Sequence, residues 1–240
     1  MDFRRVAKII GYGLYRAVRP SIVELEGIRL ATRDPAISAK MFHVLSQDYE
    51  ASEVALASDW IEAKDRVLEI GSGVGFVGLY CIKRLGVKNY AMVEANPGLI
   101  RVTARNIALN QVEPPALIHA AVTGEDGSAI FHVTEDFWSS STVKRATSEE
   151  AVSVPAMTIL TLIAQLPFMP DTLIMDIEGG EVSVPLEHYA AFRKVIVETH
   201  ARVVGKPAID ALLQGLADLG FERRAKQGLT YVLTRSQPTQ

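Results

Sequence analysis

From Asp65 onward the chain reads as an α/β domain: a mostly parallel sheet with helices on both faces. Three observations predict this. Short apolar runs alternate with amphipathic stretches. A glycine-rich turn follows the first of those runs and opens an amphipathic stretch. The last two runs flank Gln227-Gly228 and read as a closing hairpin, which gives the sheet an antiparallel edge.

The elements follow in order. Arg66 to Ile70 is an apolar run of strand length. Phe76 to Leu85 is a helix. Asn89 to Val93 is a second strand. Pro97 to Asn110 is a helix, with Pro97 suited to its first turn. Ala116 to Val122 is a third strand, Thr172 to Asp176 a fourth and Val195 to Glu198 a fifth. Gly180 to Phe192 reads as one helix. Pro207 to Leu219 is another, stopped by Gly220. Phe221 to Ala225 and Leu229 to Thr234 form the hairpin. Between the third and fourth strands, residues 123–170, the alternation lapses. A turn at Gly124-Glu125-Asp126-Gly127 and a short strand, Ser128 to Val133, precede a polar stretch around Trp138, Ser139 and Ser140. A long irregular insertion in a compact domain is often functional. This one is read as a lid or acceptor wall.

The N-terminus carries a local charge bias. Arg4, Arg5, Lys8, Arg16 and Arg19 face Asp2 alone within Met1 to Pro20, with apolar residues at helical spacing between them. The preferred reading of residues 1–48 is a helical extension packed on the domain, with the main domain over 49–236. The alternative for the first helix is weak contact with a membrane surface. The broken apolar pattern, with Gly11 and Gly13, does not suit a signal peptide.

Over the whole chain, 48% of the 240 residues are hydrophobic and 22% charged, which excludes a disordered protein. A formal net charge of -3 speaks against nucleic acid as the partner. No apolar run reaches the roughly 20 residues that span a bilayer. Cys81 is the only cysteine, so no intrachain disulfide forms; a reducing, cytoplasmic setting is expected.

The strongest local signal is Glu69-Ile70-Gly71-Ser72-Gly73-Val74-Gly75-Phe76. Glycines between a strand and a helix let a ligand approach the backbone at the carboxyl end of a parallel sheet. A dinucleotide site wants a third glycine where Phe76 stands. Glu69, just before the loop, would repel a pyrophosphate and attract a cation. S-adenosylmethionine, with its ammonium and sulfonium, fits better than a nicotinamide cofactor. Glu94 ends the second strand about 20 residues on, where a carboxylate takes ribose hydroxyls; Ala95 and Asn96 follow it. Ala121 and Val122 end the third strand, where an adenine edge could meet backbone groups.

Glu69 to Gly75 resembles motif I of the class I S-adenosylmethionine-dependent methyltransferases, and Val93 to Pro97 their acidic second motif. Asp176-Ile177-Glu178-Gly179-Gly180-Glu181 is similar to the D-[IV]-E-G-x-E signature of the FkbM family. Tyr49-Glu50 is similar to that family's Tyr-Glu pair, and Val197-Glu198-Thr199-His200 to its Glu-x-His strand end. The resemblance runs from about Tyr49 to Leu233. Two departures, Glu69 for the more usual Asp and Ser72 for Ala, are conservative. The resemblance implies a Rossmann-like class I methyltransferase fold, with a seven-stranded sheet and an antiparallel last strand. It also implies that Tyr49 and Glu50 border the cofactor and that Glu69, Gly71, Ser72, Gly73 and Gly75 hold its methionine end.

The Asp176 to Glu181 stretch ends the fourth strand, across the crevice from the cofactor. No Asn/Asp-Pro-Pro-Tyr motif stands there, which argues against an amide or adenine acceptor and for a hydroxyl of a small molecule or glycan. A hydroxyl must lose a proton, so a base nearby helps. His200 is the best base candidate; Asp176 or Glu178 could be the base instead, or orient His200. Asp176 is also expected beside the methyl group. Glu181, Trp138, Ser139 and Ser140 are the expected acceptor contacts, although an acid in a first helical turn is favoured anyway. Asp176, Glu178 and His200 could also hold a divalent metal, but dispersed ligands make no metal motif, so no metal is expected. Two other readings stay open: a nicotinamide-dependent dehydrogenase, and a non-catalytic S-adenosylmethionine-binding protein.

Overall fold

A computed structural model of the chain describes residues 19–46, 49–133 and 150–236. The expected helix at the extreme N-terminus lies outside the described residues up to position 18. The described part of the extension opens on a hairpin, not a helix: β1 (Ile22–Leu25) pairs antiparallel with β2 (Ile28–Ala31). The cause is local. Two short apolar runs flank Glu26-Gly27, and both turn residues take positive φ, 50° and 78°, as a two-residue hairpin turn requires. α1 (Ala39–Leu45) and α2 (Ala51–Trp60) follow.

Seven strands make the main sheet: β3 (Arg66–Ile70), β4 (Asn89–Glu94), β5 (Ala116–His119), β9 (Thr172–Met175), β10 (Lys194–Glu198), β11 (Glu222–Gln227) and β12 (Thr230–Thr234). Their order is β11-β12-β10-β9-β3-β4-β5. Neighbours from β10 to β5 run parallel. β12 runs antiparallel to both β10 and β11, so the antiparallel last strand is inserted one place from the edge.

Strand alternation divides the core in two. Val67, Tyr90 and Met92 pack with α2, α3 (Phe76–Lys83) and α4 (Pro97–Asn110) on one face. Leu68, Ile70, Ala91 and Val93 pack on the other, with α5 (Ile159–Gln165) and α8 (Lys206–Asp218). The N-terminal hairpin is tied to α4 by side chains: Asn106 Oδ1 accepts from the Ala31 N–H at 2.7 Å, and Asn110 Oδ1 from the Arg29 N–H at 2.9 Å. The charged residues that start the strands pair at the sheet's opposite end. Lys194 Nζ lies 2.5 Å from buried Asp65, which also pairs with Arg193, and Arg66 bonds Asp171 at 3.1 Å.

Three expectations change. Ala116 to Val122 is not one strand: it leaves the main sheet at Ala120, and β6 (Ala121–Val122) joins a separate three-stranded sheet. That sheet contains β7 (Gly127–Val133) and β8 (Glu150–Met157), so the described residues within 123–170 are more regular than expected. β8 escaped notice because Pro155 interrupts it, and proline argues against a central strand. The expected helix Gly180 to Phe192 is a 3₁₀ turn, Gly180–Ser183, then the short α6 (Leu186–Tyr189). Pro185 between them cannot donate a helical hydrogen bond. α7 (Ala201–Val204) was also unforeseen. Among the described residues, no helix is long and apolar enough to cross a membrane.

Candidate active site

A cavity of about 410 Å³ opens at the carboxyl ends of β3, β4, β9 and β10, where ligands bind in open α/β sheets. The glycine loop forms its floor. Gly71 donates its N–H to the Val93 carbonyl at 2.9 Å. Its φ is +84°, and a Cβ there would overlap the carbonyl of Asp176. The loop after β3 and the end of β9 therefore touch backbone to backbone. Asp176 in turn donates its N–H to the Ile70 carbonyl at 3.0 Å.

Glu94 ties the loop to β4. Its Oε2 accepts from the Gly73 N–H and its Oε1 from the Asn96 N–H, both at 2.7 Å. Burial pushes its carboxyl up to about 7, against the lowering effect of those two donors. Each oxygen keeps a further lone pair toward the cavity, which Glu94 lines. Ala95, Ala121 and Val122 line the same side, with Phe131 from β7.

Tyr49 and Glu50 line the cavity as well. The Tyr49 ring packs against Phe76, with centroids 5.8 Å apart. Glu50 precedes α2 with φ +49°, and Glu178 follows β9 with φ +54°. Both are non-glycine residues in a left-handed conformation, the kind of local strain that gathers at binding sites.

At the ends of β9 and β10, acids gather around one imidazole: Asp176, Glu178 and Glu198 line the cavity, and His200, which does not line it, is buried beside them. His200 Nε2 lies 3.4 Å from Asp176 Oδ1, 3.6 Å from Glu178 Oε2 and 3.8 Å from Glu198 Oε1. Burial raises the Asp176 carboxyl well above its ordinary range, helped by Glu198 and Glu178. Burial and Glu53 push Glu198 up to about 7. Burial alone would lower the His200 pKa; the Glu181 hydrogen bond and the charge of Glu178 raise it overall.

Several expected residues sit elsewhere. Glu69 is buried on β3, and alternation turns it to the face opposite Ile70, away from the cavity. Its carboxyl lies against Gly78 and Tyr90 beneath α3, so it does not meet the methionine end. Ser72 and Gly75 shape the loop from behind: the Gly75 N–H donates to the Ser72 carbonyl at 2.7 Å. The Asn96 side chain caps α4 by accepting from the Gly98 N–H at 2.9 Å. None of these four lines the cavity. Glu181 is not an acceptor contact either. It is fully buried; its Oε2 accepts from the Gly179 N–H and its Oε1 from the His200 N–H, both at 2.8 Å, with His200 Nδ1 3.3 Å away. Trp138, Ser139 and Ser140 lie outside the described residues. Sequence reasoning missed Glu198, although it stands two residues before His200, and missed Glu53 and the Gln227–Thr230 turn, which also reach the cavity.

Glu69 carries a stability prediction. Burial raises its carboxyl from 4.5 to about 8. The folded state therefore keeps a proton that the unfolded chain releases between those values. The favourable contribution is full below pH 4.5, falls as pH rises and is gone above about 8. Each pKa unit corresponds to roughly 1.4 kcal/mol. Glu69→Gln, a neutral isostere, should lose this slope. Its melting temperature at pH 8.5 should exceed that of the wild type by at least about 5 °C, with little difference at pH 5. Equal pH slopes in calorimetric melts would refute the assignment.

A family model described as the methyltransferase FkbM domain matches residues 69–223. No match is found among curated proteins. Among solved structures, the chain is similar to a methyltransferase from Pyrococcus furiosus, with TM-score 0.50 and 12% identity over 98% of this chain and 99% of that one. It is also similar to a precorrin-6y C5,15-methyltransferase from Geobacter metallireducens GS-15 (TM-score 0.48, 14% identity, 85% and 93% covered). A third similar structure is M. jannaschii TYW2 in complex with AdoMet (TM-score 0.47, 10% identity, 90% and 84% covered). At such identities the Pyrococcus likeness speaks for the fold alone.

Proposed function

Since the chain belongs to the FkbM family of S-adenosylmethionine-dependent methyltransferases, we propose that its acceptor is a hydroxyl group of a small molecule or glycan. The nicotinamide reading falls with that membership. The observation that carries the proposal is the cluster at the ends of β9 and β10. His200 Nε2 stands 3.4 Å from Asp176 and 3.6 Å from Glu178, two carboxylates that line the cavity, and such a cluster could take the proton of an acceptor hydroxyl.

The lining suits the cofactor's charge. It includes six carboxylates, from Glu50, Glu53, Glu94, Asp176, Glu178 and Glu198, and no Lys or Arg among the described residues. A cationic ligand is favoured there and a polyanionic acceptor such as nucleic acid is not. Gly71 and Gly73 would hold the methionine end by backbone groups, Glu94 the ribose, and Ala121 with Val122 the adenine. Tyr49 and Glu50 would close the opposite side. When bound, S-adenosylmethionine supplies an electrophilic methyl group on a sulfonium.

The chain's own residues then align the acceptor. Alignment of oxygen, methyl and sulfur accounts for much of the rate in an in-line displacement. S-adenosylmethionine held by Gly71, Gly73 and Glu94 would supply its methyl carbon to the acceptor oxygen, the carbon–sulfur pair departing with sulfur. The hydroxyl proton passes into the Asp176–Glu178–His200 cluster. Glu181 is a positioning residue that holds His200.

The test incubates the protein with methyl-¹³C-labelled cofactor and a panel of hydroxyl-bearing glycans and small molecules. The expected product carries the labelled carbon bonded to oxygen as a methyl ether, with one S-adenosylhomocysteine per ether. A labelled methyl on nitrogen or carbon would overturn the hydroxyl assignment. Cofactor binding with no transfer to any acceptor would favour the non-catalytic reading.

A further inference from the structure

The atoms around His200 Nε2 are spaced as ligands, not as hydrogen-bond partners. Asp176 Oδ1 and Glu198 Oε1 stand 3.4 and 3.8 Å from it, beyond the roughly 2.7–3.2 Å of an N–H···O bond. One ligand atom each from Asp176, Glu198 and His200 lies within 4.8 Å of the other two. Atoms bound about 2.1 Å from a common ion, at right-angled to tetrahedral separation, stand about 3.0–3.4 Å apart. The two distances to His200 Nε2 are within about 0.8 Å of that spacing, and the carboxylates would draw in around a bound ion.

Two further features point into the same space. His200 is 8% exposed, and fully buried Glu181 engages its Nδ1. That leaves Nε2 as the nitrogen presented to the cluster, the orientation that carboxylate–histidine pairs give a metal ligand. Asp176 Oδ1 is buried with no hydrogen-bond partner.

We propose that Asp176, Glu198 and His200 bind a divalent cation at the acceptor end of the cavity. One imidazole with two carboxylates suits a divalent transition-metal ion such as Mn²⁺ better than Ca²⁺. Two carboxylates balance its charge, and three protein ligands leave positions for water or an acceptor hydroxyl. A hydroxyl held there loses its proton more readily, and Glu178 stands beside it to receive that proton. The inference deepens the reading above and rests on it only for placing the acceptor next to the ion.

The test is a Mn²⁺ titration of the full chain after treatment with chelator, followed by paramagnetic resonance of the unbound ion. One Mn²⁺ per chain is expected. Asp176→Asn and Glu198→Gln should each weaken binding at least about tenfold. Glu181→Gln, which changes only the group orienting His200, should weaken it by about 10–100-fold. Glu113→Gln, at an exposed position away from the cavity, should leave it unchanged. Melting curves establish that the variants fold, and the wild-type stoichiometry stands without them. No Mn²⁺ bound by the wild type, or wild-type affinity in folded Asp176→Asn and Glu198→Gln, overturns the site. So does full-rate hydroxyl methylation by the stripped protein in excess chelator, which leaves the methylation reading intact. A Mn²⁺ site lost in the variants, in a protein that methylates no hydroxyl, supports the cation and overturns only the acceptor assignment.

Discussion

Gly71→Ala should abolish measurable S-adenosylmethionine binding and lower the melting temperature by at least about 10 °C, at roughly 2–4 °C per kcal/mol for a chain of this size. Two costs combine. An L-residue at φ +84° is strained by about 1–3 kcal/mol. The new Cβ also overlaps the carbonyl of Asp176, and a backbone atom cannot rotate aside as a side chain can. Either the glycine loop lifts from the cavity floor or the end of β9 retreats. Both movements disturb the cavity at the proposed meeting point of cofactor and acceptor. Gly220→Ala separates the two costs, because φ there is +85° with nothing within 4 Å of the added carbon. It should melt only about 2–6 °C below wild type and bind the cofactor normally. A Gly71→Ala protein resembling Gly220→Ala in both measurements would show that the close approach has no consequence.

Glu94→Ala should weaken S-adenosylmethionine binding by at least about thirtyfold in calorimetry, a loss of roughly 2 kcal/mol. Part of this is the proposed ribose contact itself. The rest comes from the loop, because the N–H groups of Gly73 and Asn96 both lose their acceptor. A buried donor left unsatisfied costs about 1–3 kcal/mol. Glu94→Gln is the informative partner. Its amide nitrogen must face one of those two N–H groups, donor against donor, while its oxygen serves the other. An intermediate loss is therefore expected. Wild-type affinity in Glu94→Ala would remove Glu94 from the cofactor site.

The sequence was most legible where one residue type dictates one geometry. α4 begins at Pro97 and ends at Asn110 as read, because Asn96 caps it and proline suits its first turn. β3 was also read to its ends, an apolar run bounded by a charged residue and a glycine. The site was legible as a set of positions and less so as directions. Glu69 stands in the motif as expected, but its side chain leaves β3 on the face beneath α3, and spacing along the chain does not reveal which face the cavity shares. Glu181 was placed correctly at the start of a turn. Its role depends on a contact 19 residues away with His200, which no local pattern encodes. Glu198 ends β10 and His200 follows two places on, where their side chains meet at 3.8 Å, so the Glu-x-His pair at the strand end already marked both positions.

The three-stranded sheet bears on how such a chain can diversify. The segment between β6 and β8 leaves and re-enters the domain at adjacent points. Ala121 pairs with Ala156 and Val122 with Met157, and the Thr123 N–H donates to the Met157 carbonyl at 3.1 Å. Because its two ends are clamped side by side, its length can change without altering the order of the seven strands, and lengthening a closed loop adds little entropy. Residues 124–155 thus form an exchangeable cassette. A change of length there leaves the seven-stranded sheet intact, while Phe131, which β7 lends to the cavity, ties any replacement of the segment to the cavity's shape.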